Sequence, residues 1–178
     1  MFTNQNKFSR HSYFMKLALE HAKKNLGNTK TNPSVGCVIV KNNKVISAGN
    51  TGLQGIPHAE FQALKSTNKI SNSDLYVTLE PCSHYGKTPP CVNKIINSKI
   101  KKVFFSVHDP DIRSFNKSSN ILKKKGIKVN KGVNYKEVKD FYRSYFLFKE
   151  KKIPFVTLKL AVSKDLKTIN KKKRWITN

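Results

Sequence analysis

The chain has 178 residues, enough for one sizeable core and the start of something more, and its 38% hydrophobic content suits a soluble globular domain. No stretch approaches the roughly 20 apolar residues of a membrane-spanning helix, and the polar opening MFTNQNKFSRHS lacks the apolar run of a secretory signal, so the expectation is a cytoplasmic protein without a membrane partner. The net charge of +25 raises a nucleic-acid partner, yet only four of the 35 basic residues are arginine (Arg10, Arg113, Arg143, Arg174), the type suited to bidentate phosphate and base recognition; this weighs against nucleic acid and leaves a field favouring a phosphorylated small substrate.

In chain order, Ser12 to Leu26 carries Phe14, Leu17, Ala18, Ala22 and Leu26 near the helical period, with Gly27 as its stop. His11 and His21 lack any motif around them and read as surface histidines. A Gly-, Asn- and Pro-containing loop follows to Gly36. It leads into a strand over Val35–Lys41, a turn at Asn42-Asn43 and a returning strand over Lys44–Gly49. Cys37, inside the first of these, reads as a small buried hydrophobe. After a loop from Gly49, a short helix opens at Pro57-His58-Ala59-Glu60. Asp74–Glu80 is a third strand, ended by Pro81, and a loop delivers Cys91 to the start of a helix through Ile96. Val103–Val107 is a fourth strand, Phe115–Lys125 a helix stopped by Gly126, and Ile127–Lys131 a fifth strand. Tyr135–Lys149 reads as one helix with Val138, Phe141, Tyr142, Tyr145 and Phe146 on its apolar face. Strands alternating with helices predict a layered α/β domain.

His58, Cys82 and Cys91 offer one imidazole and two thiols. A catalytic zinc takes three such ligands and keeps a fourth position for water, whereas a structural zinc has four protein ligands. This count, with Glu60 two residues from His58, favours a catalytic site in which the carboxylate moves protons. Both helix starts are suited to the work: His58 and Glu60 lie near the positive end of one, and at the other the Cys91 thiol ionises more readily for being at a helix N-terminus. Glu80, at a strand end before a proline, reads as a structural partner, and His108 as a residue closing its loop.

The run H-A-E at residues 58–60 followed by P-C at 81–82 is the pattern of zinc-dependent deaminases. The longer spacer in LEPCSHYGKTPPC, Leu79 to Cys91, with TNPSVG at Thr31–Gly36 and Asp109-Pro110, resembles the deaminase domain of the riboflavin-biosynthesis enzymes over about residues 10 to 150. The resemblance implies a cytidine deaminase-like three-layer α/β/α fold around a mixed five-stranded sheet and one Zn2+ per chain. It implies hydrolytic deamination of 2,5-diamino-6-ribosylamino-4(3H)-pyrimidinone 5′-phosphate to the 2,4-dione and ammonia. By the same resemblance Asn32, His84, Lys87 and Asp109 meet the substrate, with Lys87 at the phosphate and Asp109 toward the ribose. Two positions depart from the family pattern: Thr51 stands where a histidine is common, and Asp111 where an asparagine is usual.

Residues 151–178 are expected to form a linker and the incomplete start of a second domain, since IPFVTLKLAVSKD resembles the opening strand of the NADPH-dependent reductase that follows this deaminase in bifunctional enzymes. NADPH would bind only to a complete reductase domain. A lone strand with Phe155, Val156, Leu158, Leu160 and Val162 cannot bury its apolar side chains unaided. The sequence leaves open whether it continues into more chain or docks on a second copy, and with it a homo-oligomer. Two rival readings are a tRNA or nucleobase deaminase, favoured by charge and opposed by the long spacer, and a non-catalytic RNA-binding protein on a deaminase scaffold, opposed by the intact ligand set and Glu60.

Overall fold

In a computed structural model, which describes residues 4–66 and 69–167, helix α1 spans Asn4–Lys23 and a hairpin pairs β1 (Gly36–Lys41) with β2 (Lys44–Asn50). There follow α2 (Ala59–Lys65), β3 (Asp74–Leu79), α3 (Cys91–Asn97), β4 (Lys102–Val107), α4 (Lys117–Lys124) and β5 (Lys128–Lys131). Two short helices, α5 (Tyr135–Phe141) and α6 (Arg143–Lys151), come last. The hairpin turns on Asn42 and Asn43, both at positive φ (49° and 61°), the pairing whose twist matches that of two antiparallel strands.

The five strands lie in the order β2-β1-β3-β4-β5, antiparallel through β2-β1-β3 and parallel from β3 to β5. This is the mixed sheet expected from the sequence. The central strands are nearly continuous apolar runs because both faces are covered, while the edges β2 and β5 are the exposed ones. Helices α1 and α5 cover one face. There the rings of Phe14 and His11 meet Tyr76, and Tyr142 reaches Thr78. Helix α2 lies on β2 and β1 on the other face, with α3 beside it and α4 against β5.

Two glycines admit the helices. A Cβ on Gly36 would lie 1.9 Å from the Ala18 carbonyl oxygen of α1, and one on Gly49 would lie 2.4 Å from the Ala59 carbonyl oxygen of α2. The register pairs Cys37 with Gly49 and Gly36 with Asn50, so both close approaches occur at the same end of the hairpin. At that end, the start of β1 meets the ends of β2, β3 and β4. Four loops, 27–35, 51–58, 80–90 and 108–116, therefore leave the sheet together, and the functional residues sit on them or on the first turns of the helices that follow.

Three sequence expectations are corrected. Helix α1 closes at Lys23, short of Leu26, because the chain tightens into successive turns (Lys24 N–H to His21 O, Leu26 N–H to Lys23 O) before Gly27 at φ +85°. His11 and His21 are half-buried, and His11 has its Nδ1 2.7 Å from the Tyr76 hydroxyl and its ring stacked on Phe104. The helix read over Tyr135–Lys149 is interrupted at Tyr142 (φ −89°, ψ 8°). That residue is buried, and its hydroxyl is committed to Thr78 Oγ1 at 2.6 Å and donates to the Ser34 carbonyl at 3.0 Å. Cys37, within β1, is fully buried, as expected. No helix among the described residues is long and apolar enough to cross a membrane.

Candidate active site

His58 is the N-cap of α2, in extended conformation, and places Glu60 in the first turn; Cys91 opens α3; Cys82 follows Pro81 just beyond the end of β3. These separate pieces of chain bring one nitrogen and two sulfurs together, all within 4.8 Å of one another. His58 Nδ1 lies 3.3 Å from Cys91 Sγ and 3.5 Å from Cys82 Sγ, and the Cys91 N–H donates to Cys82 Sγ at 3.2 Å. Tetrahedral ligands at zinc distances stand roughly 3.7 Å apart. The donor types and their spacing thus fit one zinc ion.

Electrostatics within the cluster run in the same sense. Hydrogen bonds from Cys91 and His58 pull the Cys82 thiol down to about 4, so it is a ready thiolate, while its neighbour Cys91 is pushed up by sharing that proton and by burial. Donating to Cys82 raises His58, and burial opposes that rise. Glu60 is 4% exposed, and burial, helped by the charge on Cys82, pushes its carboxyl up to about 7, which poises it to both take and return a proton near neutral pH.

A cavity of about 410 Å³ opens over this cluster, and every site residue read from the sequence except Cys91 lines it. Asn32 donates its amide to the Gly55 carbonyl at 2.9 Å, tying the first loop to the second. Gly55 sits at φ +88° with room for no side chain, as a Cβ would meet Thr29 O at 2.7 Å and Asn32 Nδ2 at 2.8 Å. His84 Nδ1 lies 2.9 Å from Ser114 Oγ, fastening the third loop to the fourth. Lys87 is exposed at the cavity edge. Asp109 is buried and accepts from the Asp111 N–H and the Tyr145 hydroxyl, each at 3.0 Å.

Glu80 is the structural carboxylate expected of it. It takes His108 Nδ1 at 2.7 Å, Ser118 Oγ at 2.7 Å and the Asn116 N–H at 3.0 Å, and so pins the end of β3 to the start of α4. Thr51 is buried and bonds Val35 N–H at 2.8 Å and the Pro33 carbonyl at 3.1 Å, holding the first loop in place. Asp111 accepts from Arg113 Nε at 2.9 Å and Nη2 at 2.6 Å and from Lys149 at 3.2 Å, and these cations hold its carboxyl well below the usual range. Tyr145 and Lys149 were not legible as site residues, since their spacing of four on a helix announces only a shared face.

The chain belongs to the cytidine and deoxycytidylate deaminase zinc-binding family, whose pattern matches residues 8–107. Within that class it is similar to the riboflavin biosynthesis protein RibD of Bacillus amyloliquefaciens (40% identical, covering 93% of this chain and 46% of that protein) and of Aquifex aeolicus (41%, covering 93% and 47%). Among solved structures it resembles the Thermotoga maritima diaminohydroxyphosphoribosylaminopyrimidine deaminase/5-amino-6-(5-phosphoribosylamino)uracil reductase, with a TM-score of 0.90 and 40% identity over 97% of this chain and 51% of that one. The chain spans about half the length of the curated relatives it matches.

Proposed function

We propose that this chain is a zinc-dependent hydrolase that deaminates 2,5-diamino-6-ribosylamino-4(3H)-pyrimidinone 5′-phosphate to the 5-amino-6-ribosylamino-2,4-dione 5′-phosphate and ammonia, in riboflavin biosynthesis. The observation that carries it is the convergence of His58, Cys82 and Cys91 beside the buried Glu60 at the floor of a cavity. The RibD relatives support the choice of substrate.

His58 Nδ1 and the two sulfurs are the ligands of one Zn2+. When bound, zinc supplies Lewis acidity that brings the ionisation of water down to neutral pH. Glu60 accepts the proton of the attacking water and delivers it to the ring nitrogen next to the carbon under attack. It then moves the second proton of that water, from the new hydroxyl to the exocyclic amine, so the C–N bond breaks with release of ammonia as the C=O forms; a free amide anion is too basic to leave. One water is consumed and one C=O replaces one C–NH2. Asn32, with its amide N–H held by Gly55, keeps its carbonyl oxygen for the ring, and His84 and Lys87 stand over the pyrimidine and the phosphate.

Residues 1–150 are the deaminase unit, and 151–178 the linker and opening of a reductase-like domain. In support, the described residues 152–163 form neither helix nor strand and expose Val156 (80%) and Leu158 (77%) to solvent. NADPH belongs to a complete reductase domain and not to this cavity.

The test is ammonia release from the diaminopyrimidinone ribotide compared with cytidine, deoxycytidylate and tRNA. Turnover of the ribotide alone is expected. Faster turnover of cytidine or tRNA would overturn the reading.

A further inference from the structure

The cavity wall formed by α6 is matched to the loop after β4 in a way that the deaminase chemistry does not require. Tyr145 and Lys149, four residues apart, fall on one face of the helix, with the Lys149 ammonium 5.6 Å from the Tyr145 ring centre. Opposite them stand Asp109 and Asp111, two residues apart. Tyr145 donates to Asp109 and Lys149 pairs with Asp111.

Both hydrogen bonds to Asp109, from the Asp111 N–H and from Tyr145, end on Oδ1. Among the described residues no donor reaches Oδ2, and that atom is not one of those sealed in the interior without a partner. It therefore meets the cavity that Asp109 lines. A carboxylate with one oxygen fixed and the other open is an acceptor of set direction, suited to a ligand hydroxyl. Burial pushes the Asp109 carboxyl up, and the two hydrogen bonds on Oδ1 oppose that rise.

We propose that Tyr145 is a positioning residue, whose hydroxyl holds Asp109 so that Oδ2 accepts a hydrogen bond from a sugar hydroxyl of the substrate. This rests on the reading of the substrate as a ribosylated pyrimidine and of Asp109 as its ribose contact, the role the family resemblance implies; the role of Tyr145 is the new element. Tyr145 lies three residues past the junction of α5 and α6 at Tyr142, where its ring packs against the core and its hydroxyl reaches Asp109 at the cavity.

The experiment is steady-state kinetics of Tyr145→Phe, Asp109→Asn and the double variant in the zinc-loaded protein, with zinc content and melting temperature measured on each. Tyr145→Phe keeps the ring and removes one hydrogen bond to a charged group, so KM for the ribotide is expected to rise roughly tenfold with kcat within about threefold. The double variant should lose no more than Asp109→Asn alone, because the two act through one contact. With the triaminopyrimidinone base lacking its sugar phosphate, Tyr145→Phe should match the wild type, a distinction that mere loss of stability would not produce. Unchanged KM in Tyr145→Phe while Asp109→Asn is impaired, or additive losses in the double variant, would overturn the role of Tyr145. If Asp109→Asn itself leaves KM unchanged, the sugar contact fails at its root, while ribotide turnover by the wild type still upholds the deaminase reading.

Discussion

Replacing Glu60 with glutamine tests the chemistry at its narrowest point. The side chain keeps its length and volume, and a neutral amide in place of a carboxyl that is 4% exposed adds no buried charge, so the fold and the metal cluster should survive. What is lost is the buried carboxylate two residues from His58, in a pocket where bulk water is a poor substitute as proton carrier. General acid–base catalysis by a positioned side chain contributes about 10²- to 10⁴-fold. Because Glu60 handles the proton both on attack and on departure, the loss should fall in the upper part of that range, or roughly 4–5.5 kcal/mol of transition-state stabilisation. Glu60→Asp is a graded companion: it withdraws the carboxylate by about one carbon–carbon bond, ~1.5 Å, beyond direct hydrogen-bond reach, and should sit between wild type and Gln. The assay is ammonia release under saturating ribotide, with zinc per chain measured on the same samples. A Gln variant holding one zinc and more than about a tenth of wild-type kcat would refute the assigned role.

Other outcomes follow from the same geometry. Cys91→Ser replaces a soft thiolate with a poor ligand and should leave zinc substoichiometric by atomic absorption, with the residual activity tracking the residual metal; full zinc retention would remove Cys91 from the ligand set. Tyr142→Phe deletes a buried hydroxyl bonded to Thr78 and Ser34 and strands the Ser34 carbonyl, so urea unfolding should show a loss of about 1–3 kcal/mol with zinc content unchanged. A variant as stable as wild type would mean those hydrogen bonds contribute nothing. Arg113 and Lys149 depress the Asp111 carboxyl, so its contribution to stability is present above the ordinary carboxylate pKa and is lost as pH falls below about 4. The melting temperatures of Asp111→Asn and wild type should therefore differ at neutral pH and converge in acid. A gap that widens on acidification would contradict the sign.

Much of the site could be seen in the sequence because its parts are locally encoded. The spacing of His58 and Glu60 within one helical turn, the proline before Cys82 and the two prolines before Cys91 each specify a short-range conformation, and these conformations suffice to present the side chains. The same holds for the Asn42-Asn43 hairpin and the alternation of strands with helices. Less could be seen where a residue's partner is distant. Tyr145 lies 36 positions from Asp109, and Tyr142 lies 64 from Thr78. On periodicity alone both belonged to the apolar face of one long helix, and nothing local to either residue names the partner its hydroxyl meets across the fold.

The sequence by itself determined which atoms were available for chemistry: one imidazole, two thiols and an acid, on turns and helix starts set by nearest neighbours. Only the tertiary structure decided that these atoms share one cavity, that Asp109 presents a single free oxygen to it, and that Asp111 is spent on Arg113 and Lys149. Ligand type is a property of one residue and helix entry of a few, but the direction of a hydrogen bond across the cavity depends on how β1 to β4 bring their four loops to the same end of the sheet.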